Sequence, residues 1–529
     1  MAETRSRLYA LKPLIERWPA VRKPEGHVTF KTKMLWTTAC LLLYFVLANI
    51  PLFGVSADQL DLFQNFRAIL AGASGTVMHL GIGPIVTGSI VMQLFTGAKI
   101  INLDLTKSED KSIYQGAQKI LVLLFIFIES IPQVFGFLEP DTRFIDWFAG
   151  TGMPGSAYGW AASIIILQLA LGAIVVFLMD ELISKWGIGS GISLFIAAGV
   201  SQALFQGTLN WQPVRGIEDY NPITNPPSGT IPMVLYVFSQ RSLESLVHGE
   251  GFEQLFIGDP RFFPNPIIAF LGTIAVFAFV VYAESSRVEL PLAHGKVRGA
   301  RGRYPLRLIY ASNIPVILMA ALLANVNIFS LLLWQHPFFS DIPVIGQAWW
   351  IGAYDQTGDS LTPTMGGAWY LSTFGGLSDW LLPIFDPARY GAFAQGHAPW
   401  QILIKIVVYL TLFIGGSIMF AKFWVETTNM GPESVAKQIE KSGMQIPGFR
   451  RDPRVLQKVL ARYIPTLTVI GGATVGALAA IADMIGTVGN ASGTGVLLCV
   501  GIFIRMYEQI AKEQAMEMHP VLRSFFGAE

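Results

Sequence analysis

The stretch GWAASIIILQLALGAIVVFLM, residues 159–179, decides the fold class because it carries no charged side chain over its whole length. A helix needs about 20 apolar residues to cross a bilayer, so this segment is long enough to span one. The composition of the 529-residue chain agrees: 52% of the residues are apolar, 14% are charged and the mean hydropathy is +0.49. Soluble globular chains carry about 25% charged residues. The sequence therefore predicts a membrane protein.

On both sides of this stretch the chain contains further apolar segments of similar length. The predicted spans are 34–53, 77–98, 119–138, 159–179, 188–206, 265–283, 308–330, 402–421, 463–482 and 493–507. The fifth span is rich in glycine, serine and alanine, which favours a helix packed inside a bundle over one surrounded by lipid. We therefore predict an all-α membrane protein with ten transmembrane helices.

Lysine and arginine in the connecting segments predict the orientation, because basic loops stay cytoplasmic. The lysine-free segments hold 17 acidic residues against six arginines and are 54–76, 139–158, 207–264, 331–401 and 483–492. Most basic residues lie in the alternate segments 1–33, 99–118, 180–187, 284–307, 422–462 and 508–529. We therefore expect a multi-pass protein with both termini, 1–33 and 508–529, in the cytoplasm. The long outer loops 207–264 and 331–401 are expected to fold as small caps.

The scarce chemistry-bearing residues argue against an enzyme or a metal site. Cys40 and Cys499 lie in apolar runs at opposite ends of the chain, and the seven histidines show no metal-ligand spacing. We expect no catalytic residue, metal or cofactor. Glu129 is the one carboxylate well inside a predicted span, which makes it a functional candidate. An ion-coupled transporter of small molecules stays open as the alternative, although it calls for more paired polar groups inside the spans.

Residues 58–71 form a distinct segment between the first and second spans. Their helical apolar spacing comes from Leu62, Phe66, Ile69 and Leu70, but the segment is too short to span. Glycines and Pro84 separate it from the span that follows. The pattern predicts either a movable plug or a fixed interfacial helix.

Four motifs resemble the SecY family, the main subunit of the protein-conducting translocation channel, and most closely its archaeal and eukaryotic branch. They are GIGPIVTGSIVMQLFTGAKII (81–101), DELISKWGIGSGISLFIAAGVSQ (180–202), RGRYPLRLIYASNIPVILMAALLAN (301–325) and SGTGVLLCVGIFIRMYEQIAKEQAMEMHP (492–520). The resemblance covers essentially the whole chain, apart from the two long outer loops. It implies an hourglass channel of two pseudosymmetric five-helix halves, 34–206 and 265–507, with 58–71 as the plug and a lateral gate between the second and seventh spans.

The resemblance also implies the residues of the channel. The pore constriction would consist of Ile82, Val86, Ile188, Ile192, Ile317 and Leu498. Ile82 and Val86 are four residues apart, and so are Ile188 and Ile192. The members of each pair are therefore expected to share a helix face. A narrow apolar ring excludes water and ions while it yields to a polypeptide. The polar residues near the plug and the lateral gate, where signal sequences insert, would be Thr87, Glu129 and Asn325.

The basic cytoplasmic loops 284–307 and 422–462 would dock a ribosome, since basic side chains bind RNA phosphates. The candidate residues are Arg298, Arg301, Arg303, Arg450, Arg451 and Arg454. The same arginines also fit the positive-inside rule alone. The implied function is a passive conduit in the cell membrane for unfolded secretory polypeptides, with sideways release of hydrophobic segments into lipid. The implied partners are a single-span SecE-like (gamma) subunit, a beta-type subunit, the ribosome, signal sequences and nascent chains.

Overall fold

The computed structural model shows a helical protein with small sheets outside the helices. It describes residues 7–17, 20–26, 28–56, 70–98, 100–101, 103, 107–136, 138–152, 154–213, 225–241, 244–245, 250–258, 264–294, 301–307, 313–335, 350–357, 360–428, 430–441, 444–445 and 453–518.

Ten helices in the described residues correspond one to one with the predicted spans. They are α1 (Phe30–Leu47), α2 (Gly83–Gly97), α3 (Ser108–Gly136), α4 (Ala157–Trp186), α5 (Gly191–Leu209), α6 (Ile267–Ser285), α7 (Ile314–Gln335), α8 (Pro399–Thr427), α9 (Pro453–Ile485) and α10 (Gly493–Met518). Within the described ranges, nine of them are long and apolar enough to cross a membrane. The prediction of an all-α membrane protein is confirmed.

Helix α2 is the exception in length and corrects the predicted second span. It has 15 residues and begins at Gly83, not at 77. Three features explain the late start: Gly81 has a φ of 53°, the N–H of Ile82 donates to the carbonyl of Leu70 at 2.8 Å, and Pro84 lies in the first turn of the helix. Met78 in the preceding non-helical segment is fully buried. Non-helical backbone at membrane depth is tolerated where protein surrounds it, as here.

The helices form two groups that meet along two seams. In the first group α3 packs on α2 and α4, and α1 packs on α4; in the second, α8 packs on α7 and α9, and α10 packs on α9 and α6. Between the groups, α2 contacts α7 and α8 on one side, while α5 contacts α10 and the turn Val488–Asn490 on the other. A continuous cluster of buried apolar residues runs through both groups. The three polar residues predicted from the resemblance meet at the seam between α2 and α7.

Two small sheets lie outside the helical bundle, and the sequence pattern did not predict them. The strands are β1 (Arg287–His294), β2 (Arg301–Arg307), β3 (Ala353–Thr357), β4 (Ser360–Met365) and β5 (Met444–Gln445). Strand β1 pairs antiparallel with both β2 and β5, and β3 pairs with β4. The first sheet therefore joins the two basic loops 284–307 and 422–462.

The described parts of the outer loops are folded. Their helices and helical turns are Thr230–Gln240, Glu250–Phe252, Glu253–Ile257, Gly366–Leu371, Leu377–Phe385, Pro387–Tyr390 and Gly391–Ala394. A small apolar cluster forms around Met233 and Leu255 in the first loop, and a second one joins Trp369 and Ala394 of the other loop to Ile402 of α8. The remaining short helices are Arg7–Leu11, Lys12–Arg17, Thr142–Gly150 and Pro432–Lys441.

The described ends of the chain lie at the same end of the bundle. The N–H of Val21 donates to the Glu181 carboxylate at 3.2 Å, next to the C-terminal end of α4. Lys33, in the first turn of α1, forms an ion pair of 2.8 Å with Glu513, near the C-terminal end of α10. This arrangement fits an even number of spans with both ends on one side of the membrane.

Candidate functional site at the seam between α2 and α7

A chain of side-chain hydrogen bonds crosses the seam. The Nδ2 group of Asn325 on α7 donates to the hydroxyl of Thr87 on α2 at 2.9 Å. That hydroxyl in turn donates to the carboxylate of Glu129 on α3 at 2.7 Å. The structure thus brings together the three polar residues that the resemblance singled out, and it places the bond between Asn325 and Thr87 across the junction of the two groups of helices.

The surroundings of this polar chain are nearly closed to solvent. Glu129 is 9% exposed, and Gln133, one turn further along α3, is 5% exposed. Both line a cavity of about 20 Å³ with Ala321 and Ile328 of α7 and with His79. A cavity of this size holds about one water molecule. Because polar groups at this depth lack bulk water, each direct bond between them holds the helices together.

The apolar residues assigned to the pore constriction are all in the interior, but they are not equivalent. Ile82, Val86, Ile317 and Leu498 belong to the continuous buried cluster, with exposures of 0%, 3%, 8% and 0%. Ile192 is partly buried and packs against the same cluster. Residues from α2, α5, α7 and α10 therefore meet in one apolar core that joins the two groups of helices.

Ile188 departs from the predicted arrangement. It is 4% exposed, but it precedes α5, which begins at Gly191, so it does not share a helix face with Ile192. Gly189, with a φ of 83°, lies between the two and turns the backbone. The N–H of Ile188 donates to the hydroxyl of Thr37 on α1 at 3.0 Å. The prediction that Ile188 and Ile192 share a helix face was wrong. Ile82 and Val86, by contrast, are joined by a helical hydrogen bond, from the Val86 N–H to the Ile82 carbonyl at 3.0 Å.

Only the end of the predicted plug lies in the described part of the chain. Leu62, Phe66 and Ile69 fall outside the described residues, whereas Leu70 and the adjoining Ala71 are described. The carbonyl of Leu70 accepts the Ile82 N–H at 2.8 Å, and the carbonyl of Ala71 accepts the Tyr44 hydroxyl of α1 at 3.2 Å. The end of the segment is therefore bound directly to the start of α2.

The predicted docking arginines are described in part. Arg301 and Arg303 lie in β2, opposite Ala293 and Pro291 of β1. Arg454 lies in the first turn of α9. Arg298, Arg450 and Arg451 fall outside the described residues. The antiparallel pairing places two of the six candidates on one strand of the sheet that joins both basic loops.

Among the buried charged residues that the sequence-based prediction missed, two lie on α8 and α9. Asp483, at the C-terminal end of α9, is 2% exposed and accepts hydrogen bonds from the Tyr409 hydroxyl at 2.7 Å, the Thr494 N–H at 2.8 Å and the Thr494 hydroxyl at 2.6 Å. Lys405 on α8 is 8% exposed, and its ammonium lies 4.8 Å from the ring centre of Trp369. Asp483 lay just beyond the predicted ninth span, and Lys405 lay inside the predicted eighth, where a lone charge was itself a signal.

These observations define a class of protein: a helical membrane protein whose two groups of helices meet at an apolar core with a polar link across one seam. The family model for SecY matches residues 76–507, and the model described as "Plug domain of Sec61p" matches residues 42–75.

Whole-length relatives agree with these matches. Protein translocase subunit SecY of Halobacterium salinarum is 44% identical and that of Methanocaldococcus jannaschii 40%, over 97–98% of this chain and 98% of theirs. A solved structure of a protein-conducting channel has a TM-score of 0.73 and 38% identity. The alignment with that structure covers 96% of this chain and 98% of the solved chain. Sec61 in the canine ribosome-channel complex from the endoplasmic reticulum has a TM-score of 0.70, 38% identity and the same coverage. The chain belongs to the SecY family.

Proposed function

We propose that this chain forms the protein-conducting channel of a translocase, through which unfolded secretory polypeptides cross the cell membrane. The observation that carries the proposal is the contact between α2 and α7. There an apolar core that contains Ile82, Val86 and Ile317 lies beside the hydrogen bond from Asn325 to Thr87. Separation of these helices breaks one polar link and opens the apolar core.

The apolar core explains how such a channel can be closed to ions and open to a polypeptide. A narrow constriction lined by aliphatic side chains loses its water and so blocks hydrated ions. The same side chains adapt to almost any polypeptide, because they offer no directional bond. The driving force for transport comes from a partner in this account, since the channel itself is passive and catalyses no reaction.

The seam also provides a route to lipid. When α2 and α7 move apart, a hydrophobic segment in the channel meets the bilayer and partitions into it, since burial of apolar surface in lipid is favourable. The plug, 58–71, closes the channel in this proposal. Its described end is bound to the start of α2, so movement of the plug and of α2 are linked.

The proposed partners follow from charge and from the relatives. The basic sheet formed by β1, β2 and β5 is a surface for ribosomal RNA phosphates, and the canine Sec61 relative was solved in a ribosome-channel complex. We place this sheet and both termini in the cytoplasm. The SecE-like and beta-type small subunits complete the proposed complex.

The test uses the full chain with its small subunits in sealed vesicles. Ribosomes that carry a stalled secretory chain are added, and we expect the part of that chain inside the vesicle to become protected from protease. A matched chain with a defective signal sequence should stay accessible. The ion-coupled transporter alternative has no support among the relatives named above. Coupled uptake of a small solute together with the absence of chain protection would favour that alternative and overturn the proposal.

A further inference from the structure

The hairpin of β1 and β2 is fixed to α10 at its base. Arg287, the first residue of β1, lies 3.3 Å from the carboxylate of Glu508. Arg307, the last residue of β2, contacts the other oxygen of the same carboxylate. The two ends of the hairpin are paired residues in the strand register, so one carboxylate on α10 closes the hairpin at its base.

Below this ionic contact lies a group of buried polar side chains from three helices. Asn313, which precedes α7, is 1% exposed, and Glu284, near the end of α6, is 6% exposed. A β-carbon at Gly501 of α10 would lie 2.0 Å from Asn313 Nδ2 and 2.7 Å from Glu284 Oε1, so all three meet at one point. Arg505 follows one turn later; Glu284 and Glu508 attract its charge, whereas Arg307 repels it.

This group has hydrogen-bonding capacity that the described residues leave unused. Both side-chain polar atoms of Asn313 and the Oε1 atom of Glu284 have no hydrogen-bond partner within the described part of the chain. A buried polar group without a partner is costly. In the proposal that follows, a small displacement of α7 relative to α10 lets Asn313 donate to Glu284 and relieves that cost.

The junction is connected directly to the pore. The backbone carbonyl of Asn313 accepts the N–H of Val316 at 3.2 Å and that of Ile317 at 3.3 Å. Ile317 is the α7 residue of the proposed constriction, and Leu498 lies one turn before Gly501 on α10. A shift at Asn313 therefore moves the first turn of α7, which carries Ile317.

We propose that Glu508 is a positioning residue that couples the β1–β2 hairpin, through Arg505, Glu284 and Asn313, to α7, so that ribosome docking on the hairpin shifts the seam between α2 and α7. The inference rests on the proposed function, because it assumes that the hairpin docks a ribosome. Glu508 itself contacts neither the ribosome nor the translocating chain in this account. It acts through the two arginines at the hairpin base.

The test compares wild type with Glu508→Gln, which keeps the size of the side chain and removes its charge. The full chain with its small subunits carries one fluorophore on α2 at position 95 and one on α7 at position 329, both at exposed phenylalanines. Ribosome affinity and the ribosome-induced change in energy transfer are measured on the same samples. We expect ribosome affinity within about twofold of wild type and a response reduced about three- to fivefold, as for the loss of an ion-pair network.

Two further variants separate coupling from a general structural effect. Glu109→Gln breaks an exposed ion pair with Lys12, outside both docking loops, and should leave the response unchanged. Glu508→Asp keeps the negative charge between Arg287 and Arg307 and should retain at least half of the response. An unchanged response in Glu508→Gln, or an equal loss in Glu109→Gln, overturns the coupling while ribosome docking stands. Wild-type protein that fails to bind ribosomes overturns the docking proposal, and the coupling with it.

Discussion

Replacement of Thr87 with valine tests the role of the polar link at the seam. Valine has nearly the same shape as threonine but lacks the hydroxyl, so the variant loses both the bond from Asn325 at 2.9 Å and the bond to Glu129 at 2.7 Å. The bond to Glu129 lies within one group of helices and persists when the groups separate. Only the bond to Asn325 differs between the closed and the separated seam.

The expected magnitude follows from this one bond. Hydrogen bonds between membrane helices contribute about 0.6 kcal/mol on average and at most about 1.7 kcal/mol. Since about 1.4 kcal/mol corresponds to a factor of ten in an equilibrium constant, the ratio of open to closed channel should rise about 3- to 15-fold in Thr87→Val.

The assay is ion leak through the channel in planar bilayers, together with export of a secretory protein that has a defective signal sequence. Both should increase in Thr87→Val. The matched control is Thr468→Val on α9, a buried threonine whose hydroxyl donates to the Ile464 carbonyl of its own helix at 2.8 Å. A leak in Thr87→Val that equals wild type, or an increase of the same size in Thr468→Val, would refute the reasoning.

Three further substitutions probe other parts of the site. Gly81→Ala should weaken closure and raise ion leak, because its β-carbon would lie 2.1 Å from the Leu70 carbonyl and a positive φ costs about 1–2 kcal/mol. Leu498→Asn should also raise ion leak, since a polar group lets water into the proposed apolar constriction. Asp483→Asn should lower the free energy of unfolding of the purified protein by about 1–3 kcal/mol. The reason is that an amide cannot accept all the hydrogen bonds that the carboxylate accepts from Thr494 and Tyr409.

Each of these substitutions has its own control. Gly415→Ala on α8 introduces a β-carbon with nothing within 4 Å, so it should leave the leak unchanged. The same leak in Gly81→Ala and Gly415→Ala would contradict the strain argument. Leu498→Met keeps the site apolar and should seal as wild type does; a tight seal in Leu498→Asn would count against dewetting. Unchanged melting of Asp483→Asn would show that this carboxylate does not stabilise the start of α10.

The sequence predicted the helices well because long apolar segments of this kind need no tertiary context. All ten predicted spans contain a helix. The second span was the least accurate, since hydropathy alone cannot separate the buried non-helical residues 78–82 from the helix that follows. The backbone of Gly81 and the bond from Ile82 to Leu70 decide that boundary, and both depend on the folded chain.

The sheets and the buried charges were harder for a related reason. Strand β5 has only two residues, and its pairing with β1 joins segments about 150 residues apart in the chain. Lys405 lies beside Trp369 and Phe374 of an outer loop, and the sequence does not place that loop over α8. Likewise the Glu508 contacts with Arg287 and Arg307 depend on the hairpin register. The polar residues at the seam could be named from the family resemblance and, for Glu129, from its place inside a span, but their mutual bonds could not.

The most direct test of the central claim traps a polypeptide inside the channel. Cys40 and Cys499 are first replaced with alanine, and a cysteine is placed at Ile82, while a secretory chain with its own single cysteine is stalled midway through export. We predict a disulfide between position 82 and the stalled chain. Cysteines at Leu42 and Val407, whose side chains are 62% and 63% exposed on the outside of the bundle, should give none. Disulfides at the two outside positions and none at position 82 would contradict the account.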